Sequence, residues 1–380
     1  MRPETLLRRA AAASMLLAAS LLAGCADLGY YWQSASGHLG VMRAARPVPQ
    51  WLDDPATPAA LKAKLELTQR IRRFAVTELH LPDNPSYTGY ADLHRNAAVW
   101  NVVAAPPYSL TLKTWCFPVA GCVGYRGYYD EAQAKTEADA QRAQGLEAAV
   151  YPVPAYSTLG WLNWAGGDPL LSTFIGYPEG ELARLIFHEL SHQLLYVSGD
   201  TLFNESFATA VERIGGARWL ATEAGDAARS DYAQYDARRQ QFRALTFATR
   251  RRLQAVYSSP QAEAKDWAAV ETMKREAMAA FRADFAALRD GWPPQRQAAY
   301  DAWAARANNA TFGAQAAYDD LVPGFEALFE REGRDWPRFY AAVRELAALP
   351  KDERHAALQG VAPPAHTAAT AATARPSAAQ

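Results

Sequence analysis

The apolar positions in the first half of the chain follow two spacings, which predicts helices interleaved with short strands. Residues 61–79 carry apolar side chains at helical spacing among charged ones, and residues 131–145 are rich in Ala, Glu and Gln, so both segments predict helices. Residues 98–128 and 150–159 hold Val, Tyr, Trp and Thr in short runs, which are typical of strands.

The second half of the chain is predicted to be mainly helical. Residues 213–356 are mostly Ala, Arg, Glu, Gln and Leu with intermittent aromatics, which favours several long helices. Turn-forming residues interrupt this stretch near 258–260, 291–294, 323–324 and 333. Residues 359–380 hold almost no large apolar side chain, so we expect them to be disordered. The predicted fold class is α+β, mostly helical, with a mixed α/β part at 61–176 and a mainly helical part at 177–358.

Composition and charge place the chain among globular proteins and argue against nucleic acid as a partner. Half of the 380 residues are hydrophobic, 21% are charged and the formal net charge is -1. Removing residues 1–24 takes away three Arg and one Glu, which leaves 36 basic and 39 acidic residues. Because the chain contains no basic run, nothing in its charge supports nucleic-acid binding.

Residues 1–24 have the pattern of a bacterial export signal. Arginines precede an apolar run at 10–23, which is shorter than the about 20 residues that a membrane-spanning helix needs. The run ends in Leu22-Ala23-Gly24-Cys25, which resembles a lipobox, so we predict cleavage before Cys25 and lipidation of that cysteine. A plain secretory signal with an incidental cysteine, or an uncleaved anchor, is the alternative.

The residues that follow Cys25 indicate where the anchored protein resides. Ala26, rather than Asp, comes directly after the cysteine. By resemblance to Gram-negative sorting rules, this favours the periplasmic face of the outer membrane. Residues 25–60 are aromatic and turn-rich, and we expect them to tether the anchor to the body of the protein.

The two remaining cysteines, Cys116 and Cys122, predict a disulfide that closes a small loop. An exported protein resides in an oxidising compartment, and the loop contains Pro118 and Gly121, which suit a turn. A zinc-binding pair is the competing interpretation, but it needs further ligands, and His94 is the nearest histidine in the sequence.

The chemistry of the chain centres on an H-E-x-x-H string at residues 188–192. Residues four apart share a helix face, so His188 and His192 can direct two imidazoles at one metal ion. Glu189 lies beside them, where it can accept a proton from a water molecule that the ion activates. A catalytic Zn²⁺ normally has three protein ligands, so a third ligand must come from elsewhere.

Glu205 is the best candidate for the third ligand, because a second helix is predicted soon after the first. Pro178 to Glu181 suit the start of the first helix, and Gly199 is predicted to end it. Asp200 or Thr201 can then cap the second helix, which carries Glu205. Glu212 lies two turns beyond Glu205 on the same face and can hold a ligand in place or meet a substrate amine.

Each of these assignments has a simpler alternative. The H-E-x-x-H string can occur by chance on an amphipathic helix, and Glu205 can be a solvated carboxylate. Glu212 can be an exposed charge near Arg213. A metzincin site is set aside, since it needs Gly and His where the chain has Leu195 and Ser198.

These two helical strings resemble the gluzincin metallopeptidases, in which a second helix supplies a Glu to an H-E-x-x-H helix. The aminopeptidase branch carries an N-E-G-F-A-like string and another Glu seven residues on. Residues 204–208 match it with Ser206 in place of Gly, and Glu212 matches the second Glu. The spacing of twelve residues between His192 and Glu205 is shorter than is usual in that branch.

A fuller resemblance is to a bacterial family of proposed aminopeptidases that look like lipoproteins. Besides the two helices, the strings that carry it are Trp115–Cys122, Arg126–Tyr128, Tyr156–Trp161 and Asn308–Ala310. It implies zincin-like helices beside a small sheet, a bound Zn²⁺, a peptide substrate and a membrane contact through the lipid anchor.

The resemblance also implies a donor for the oxyanion, often a Tyr or His downstream of the zinc helices. Tyr318 is the first choice, and the alternatives are Tyr232, Tyr235 and Tyr257. An aminopeptidase needs a carboxylate for the substrate amine. Glu212 or Asp168 can serve, although a turn aspartate such as Asp168 more often bonds its own backbone.

The sequence therefore predicts a lipid-anchored, zinc-dependent peptidase, with aminopeptidase activity as the first expectation. The chain lacks the G-A-M-E-N string that binds the substrate amine in the better-known branch. A periplasmic zinc endoprotease is therefore one alternative, and a non-catalytic zinc-binding envelope lipoprotein is another. Intact Glu189 argues against the non-catalytic alternative, because a structural zinc site has no need of it.

Overall fold

The computed structural model describes residues 28–117, 121–161, 163–294, 297–316 and 320–361. Within these ranges the fold is mostly helical α+β with small sheets of two or three strands, which confirms the predicted class. The predicted signal, Cys25, Tyr318 and residues 362–380 lie outside the described residues.

Helices form most of the described chain. They are residues 28–44 (α1), Val48–Asp53 (α2), Ala59–Thr77 (α3), Glu131–Ala143 (α4), Glu179–Leu194 (α5), Thr201–Thr222 (α6), Asp226–Tyr257 (α7), Pro260–Glu263 (α8), Trp267–Asp290 (α9), Ala298–Ala305 (α10), Asn309–Ala316 (α11), Val322–Arg331 (α12), Trp336–Ala348 (α13) and Lys351–Val361 (α14). The two predicted N-terminal helices correspond to α3 and α4, and the predicted helical second half is confirmed.

Strands are short and lie in the first half of the chain, as predicted. They are Ala45–Pro47 (β1), Gly89–Ala91 (β2), Val99–Ala105 (β3), Trp115–Phe117 (β4), Gly121–Val123 (β5), Arg126–Tyr128 (β6), Glu147–Val153 (β7) and Leu170–Leu171 (β8). One sheet has the order β1-β2-β8, with β1 antiparallel and β8 parallel to β2. The second has the antiparallel order β6-β3-β7, and β4 and β5 form a hairpin.

The segment predicted as a tether is built into the fold over most of its length. Strand β1 pairs with β2, and Val41 and Val48 on either side of it are buried in the main core. Apolar residues in this aromatic segment therefore find partners in the core. At the other end, α14 extends to Val361, into the segment expected to be disordered.

The predicted disulfide is confirmed and closes the β4–β5 hairpin. Cys116 and Cys122 face each other in the strand register and are bonded, with their Cα atoms 3.9 Å apart. Gly121 has a φ of +73°, and a side chain there would lie 2.6 Å from the backbone nitrogen of Gly199. The hairpin therefore packs against the loop between α5 and α6, and glycine is needed at this contact.

Two of the apolar cores hold most of the helices together. The main core joins α3, α5, α6, α12 and α13, and contains Phe187, Phe207, Phe325 and Phe339, all fully buried. A second core lies among α7, α9, α10 and α11 around Phe281. Among the described helices, none is both long and apolar enough to cross a membrane.

Candidate active site

Helix α5 turns an apolar face to the core and the H-E-x-x-H residues to a cavity. Leu182, Ile186 and Leu190, at a spacing of four, are buried in the main core. His188 and His192, also four apart, lie on another face of the same helix, as the spacing predicted. The helix ends at Leu194 rather than near Gly199 as predicted.

The loop after α5 is shaped by the amide side chain of Asn204. Its Oδ1 accepts a hydrogen bond from the Val197 N–H, and its Nδ2 donates to the Val197 carbonyl, both at 2.8 Å. These bonds hold Val197 outside the helix, which explains the early end of α5. Asp200 then caps α6, as predicted, by accepting from the Phe203 N–H.

Three side chains converge into a group that can hold a metal ion. His188 Nε2 lies 3.2 Å from His192 Nε2 and 3.3 Å from Glu205 Oε2, and His192 Nε2 lies 3.7 Å from the same oxygen. The structure thus brings together the three residues that the sequence predicted as ligands.

These distances fit a tetrahedral ion. Ligand atoms bound to Zn²⁺ at about 2.0–2.2 Å in tetrahedral geometry stand about 3.3–3.6 Å from one another. The three separations in the structure, 3.2, 3.3 and 3.7 Å, lie close to that range. Two imidazole nitrogens and one carboxylate oxygen are also a donor set of catalytic zinc sites, which keep a fourth position open.

Glu212 lies behind His188 on the side away from the ion group. One of its oxygens is 3.1 Å from His188 Nδ1, and the other pairs with Arg184 of α5. Both oxygens of Glu212 are thus engaged. This arrangement fits a residue that orients the His188 imidazole, and it leaves no carboxylate oxygen free to bind a substrate amine. Of its two predicted roles, the geometry supports the orienting one.

Burial and charge set the pKa values of the four central groups. Burial raises the pKa of Glu189 to about 7 and lowers the pKa of His192 to about 4. Burial alone would raise the pKa of Glu212, but Arg184 and His188 bring it down to about 2. His192 and His188 likewise outweigh burial and hold the pKa of Glu205 below its usual value.

A cavity of about 380 Å³ opens in front of Glu189. Parts of its wall come from α1, from the β6-β3-β7 sheet and from the segment that follows β7. Besides the motif residues, its polar lining includes Tyr30, Ser34, Asn101, Tyr125, Tyr129, Tyr156, Ser157 and Tyr196. Among the described residues that line it, Glu189 and Glu205 are the acidic ones.

Tyr125 and Tyr196 are cavity residues that the sequence analysis missed. Burial, followed by the nearby charge of Glu205, raises the pKa of both phenols. For Tyr125 the charge of Glu189 adds to this effect. Tyr196 lies four residues beyond His192, and this proximity was the one available signal for it. Tyr125 follows the disulfide hairpin, far from the H-E-x-x-H string in the sequence, so no local signal indicated it.

The tyrosines considered earlier as oxyanion donors lie elsewhere or outside the described chain. Tyr232 accepts hydrogen bonds from Arg184 and Arg239, and Tyr257 donates to Asn309. Tyr235 belongs to α7 and does not line the cavity. The prediction for Tyr318 falls outside the described residues.

Asp168 is placed as a positioning residue. Its Oδ2 accepts from the Thr158 N–H at 3.0 Å and from Gln193 Nε2 at 2.9 Å. The side chain is buried and does not line the cavity, so the geometry does not support a contact with the substrate amine. By holding Gln193, Asp168 fixes the end of α5 that carries His192.

A second cavity, of about 410 Å³, lies on the other side of the motif residues. His188 and Glu189 line both cavities. The second cavity also contains Arg213, Arg239 and Arg243, so its wall is more basic than that of the first.

One of the three comparisons with known proteins gives a match. A family model described as "Putative aminopeptidase" matches residues 29–358. No curated protein and no solved structure matches the chain significantly.

Glu212→Gln should weaken metal binding without altering a ligand. The substitution keeps the shape of the side chain but removes the charge that faces His188 Nδ1, and we expect affinity for a divalent ion to fall about 10–100-fold. Competition with a chromogenic chelator measures this. Glu223→Gln, an exposed carboxylate just beyond the same helix, is the control and should bind normally. Unchanged affinity in Glu212→Gln would contradict the orienting role.

Proposed function

Since the chain belongs to the family described as "Putative aminopeptidase", we propose that it is a zinc-dependent peptidase of gluzincin type that removes N-terminal residues. The observation that carries the proposal is the group formed by His188, His192 and Glu205 beside Glu189, at the floor of a cavity. Two histidines and a glutamate suit Zn²⁺, and the open cavity gives a substrate access to them.

Glu189 acts as the general base in this proposal. Zn²⁺, when bound, supplies a Lewis acid and lowers the pKa of water toward neutrality. The Glu189 carboxylate accepts the proton of the attacking water and delivers it to the leaving amine. Its raised pKa, about 7, suits a group that must both accept and release a proton near neutral pH.

Tyr125 is our candidate for the donor to the carbonyl oxygen. Its phenol lines the cavity, and the charges of Glu205 and Glu189 help to keep it protonated. A protonated phenol can donate a hydrogen bond where negative charge develops on the substrate. This assignment replaces the earlier alternatives Tyr232 and Tyr257, whose hydroxyls are bound to other residues.

An endopeptidase is the second candidate, and one observation favours it. His188 and Glu189 line both cavities, so a peptide can extend on either side of them. An aminopeptidase should cleave amino-acid amides and lose that activity when the amine is acetylated. An endopeptidase should prefer internally quenched peptides with blocked ends.

We also propose that the mature protein is anchored by a lipid on Cys25, at the periplasmic face of the outer membrane. The lipobox-like string before Cys25 and the Ala26 that follows it are the supporting features. This location is consistent with the disulfide between Cys116 and Cys122, because disulfides persist in oxidising compartments.

Substitutions of two carboxylates should separate metal binding from catalysis. Glu205→Ala removes a ligand oxygen, so the zinc content per chain and the activity should both fall. Glu189→Gln should retain zinc but lose about 100-fold or more in turnover, the scale expected for a general base. The exposed Glu66→Gln is the control. Activity retained by Glu189→Gln would contradict the peptidase proposal, and normal zinc in Glu205→Ala would place the third ligand elsewhere.

Tyr125→Phe should lower kcat about 100-fold while KM changes little, because the donor acts mainly on the charge that develops in the transition state. Steady-state kinetics with the best amide or peptide substrate measures both constants. Tyr151→Phe is a matched control, since Tyr151 is a nearby tyrosine of β7 that does not line the catalytic cavity. Equal losses in the two variants would indicate a packing effect instead.

Labelled palmitate should enter the wild-type protein and not Cys25→Ser. The cysteine supplies the atoms that carry the lipid, so serine should leave the protein unprocessed or free of the membrane. Metabolic labelling and membrane fractionation test this together. Absence of label from the wild-type chain would show that the anchor prediction is wrong.

A further inference from the structure

Helix α1 is fixed to the body of the protein along its inner face. The ring of Tyr30 stacks on Phe117 with centroids 5.5 Å apart, and His38 Nδ1 lies 2.8 Å from the Tyr156 hydroxyl. A Cβ at Gly37 would lie 2.2 Å from the ring of Tyr129, so the helix backbone packs directly on that ring. The helix therefore has a defined orientation.

The outer face of α1 is apolar and exposed. Leu28, Trp32 and Leu39 are spaced by four and seven residues, which places them on one side of a helix. Their exposed fractions are 70%, 74% and 50%. A helix with one packed face and one exposed apolar face has the character of an interfacial helix.

A neighbouring turn extends this apolar surface. Trp161 and Trp164 are 65% and 85% exposed, and the same turn contains Gly166, where a Cβ would lie 3.9 Å from Met42 of α1. In the part of the chain that the structure describes, six of the seven exposed large apolar side chains lie on α1 or this turn. A cluster of this kind on an otherwise ordinary surface indicates an interaction site.

The residue types and charges at this surface fit a lipid bilayer. Tryptophan, tyrosine and leucine are favoured at the boundary between headgroups and acyl chains. From Leu28 to Leu52 the sequence holds no Asp or Glu, and it contains the exposed Arg43, which suits anionic headgroups. Cys25, which we propose carries a lipid, lies three residues before α1 in the sequence, so the chain that leads into the helix would also favour a membrane.

We propose that Leu28, Trp32, Leu39, Trp161 and Trp164 form a membrane-docking face that inserts into the headgroup region of an anionic bilayer. The proposal does not rest on peptidase activity. It has a consequence for the catalytic cavity, because Tyr30 and Ser34 of α1 line that cavity. A docked α1 would hold the cavity next to the lipid surface.

Spin labels on the full chain can test the docking face. Leu39→Cys and Trp164→Cys place single labels at exposed positions, since Cys116 and Cys122 are already bonded and the lipid that we propose on Cys25 blocks that thiol. Ala286→Cys is the control, an exposed position on α9 with the charged residues Arg282 and Asp290 one turn away on either side. Each labelled chain is purified from membranes and reconstituted into vesicles of phosphatidylethanolamine and phosphatidylglycerol. Power saturation then measures access of oxygen and of a water-soluble nickel chelate.

We expect the labels at positions 39 and 164 to be several-fold less accessible to the nickel chelate than the label at position 286. They should also be more accessible to oxygen than that control label. If labels 39 and 164 stay as accessible to the chelate as label 286, the proposal is overturned. Spin–spin broadening that disappears on dilution with unlabelled chain would show that a second copy covers the face, which would also overturn it.

Discussion

The contact of His188 with two carboxylates of α6 is the interaction on which the rest of the site depends. Its Nε2 faces Glu205 and its Nδ1 faces Glu212, two turns further along the same helix. One imidazole thereby sets the position of α6 along α5. Arg184, also on α5, offsets the charge of Glu212. Removing one member of such a buried set leaves an uncompensated charge, which typically costs about 3–5 kcal/mol.

This constraint explains why so many contacts converge on the short connection between the two helices. Asn204 holds Val197 through both of its amide atoms, and Asp200 caps α6 while it pairs with His355 of α14. Gly121 brings the disulfide hairpin against the backbone of Gly199. A shift in this connection would move Glu205 relative to the histidines, so the loop is held from three directions.

The sequence analysis predicted well what depends on local spacing. The faces of α5 and α6, the cap at Asp200 and the grouping of His188, His192 and Glu205 follow from helical geometry and a short connection. It missed Tyr125 and the wall formed by α1, because these contacts join segments far apart in the chain. It expected α5 to end near Gly199, whereas the side chain of Asn204 overrides the local glycine signal.

Contacts between neighbouring parts of the sequence and contacts between distant parts serve different chemical purposes in this site. Metal-binding geometry needs few atoms at exact positions, and two adjacent helices can supply them from a short stretch of sequence. A cavity that selects a substrate needs a larger surface, and here α1, the β6-β3-β7 sheet and the segment after β7 provide it. Because α1 lines this cavity with one face and exposes apolar residues on the other, any change in its position alters both surfaces together. The shape of the catalytic cavity and the surroundings of the exposed face of α1 are therefore coupled through one helix.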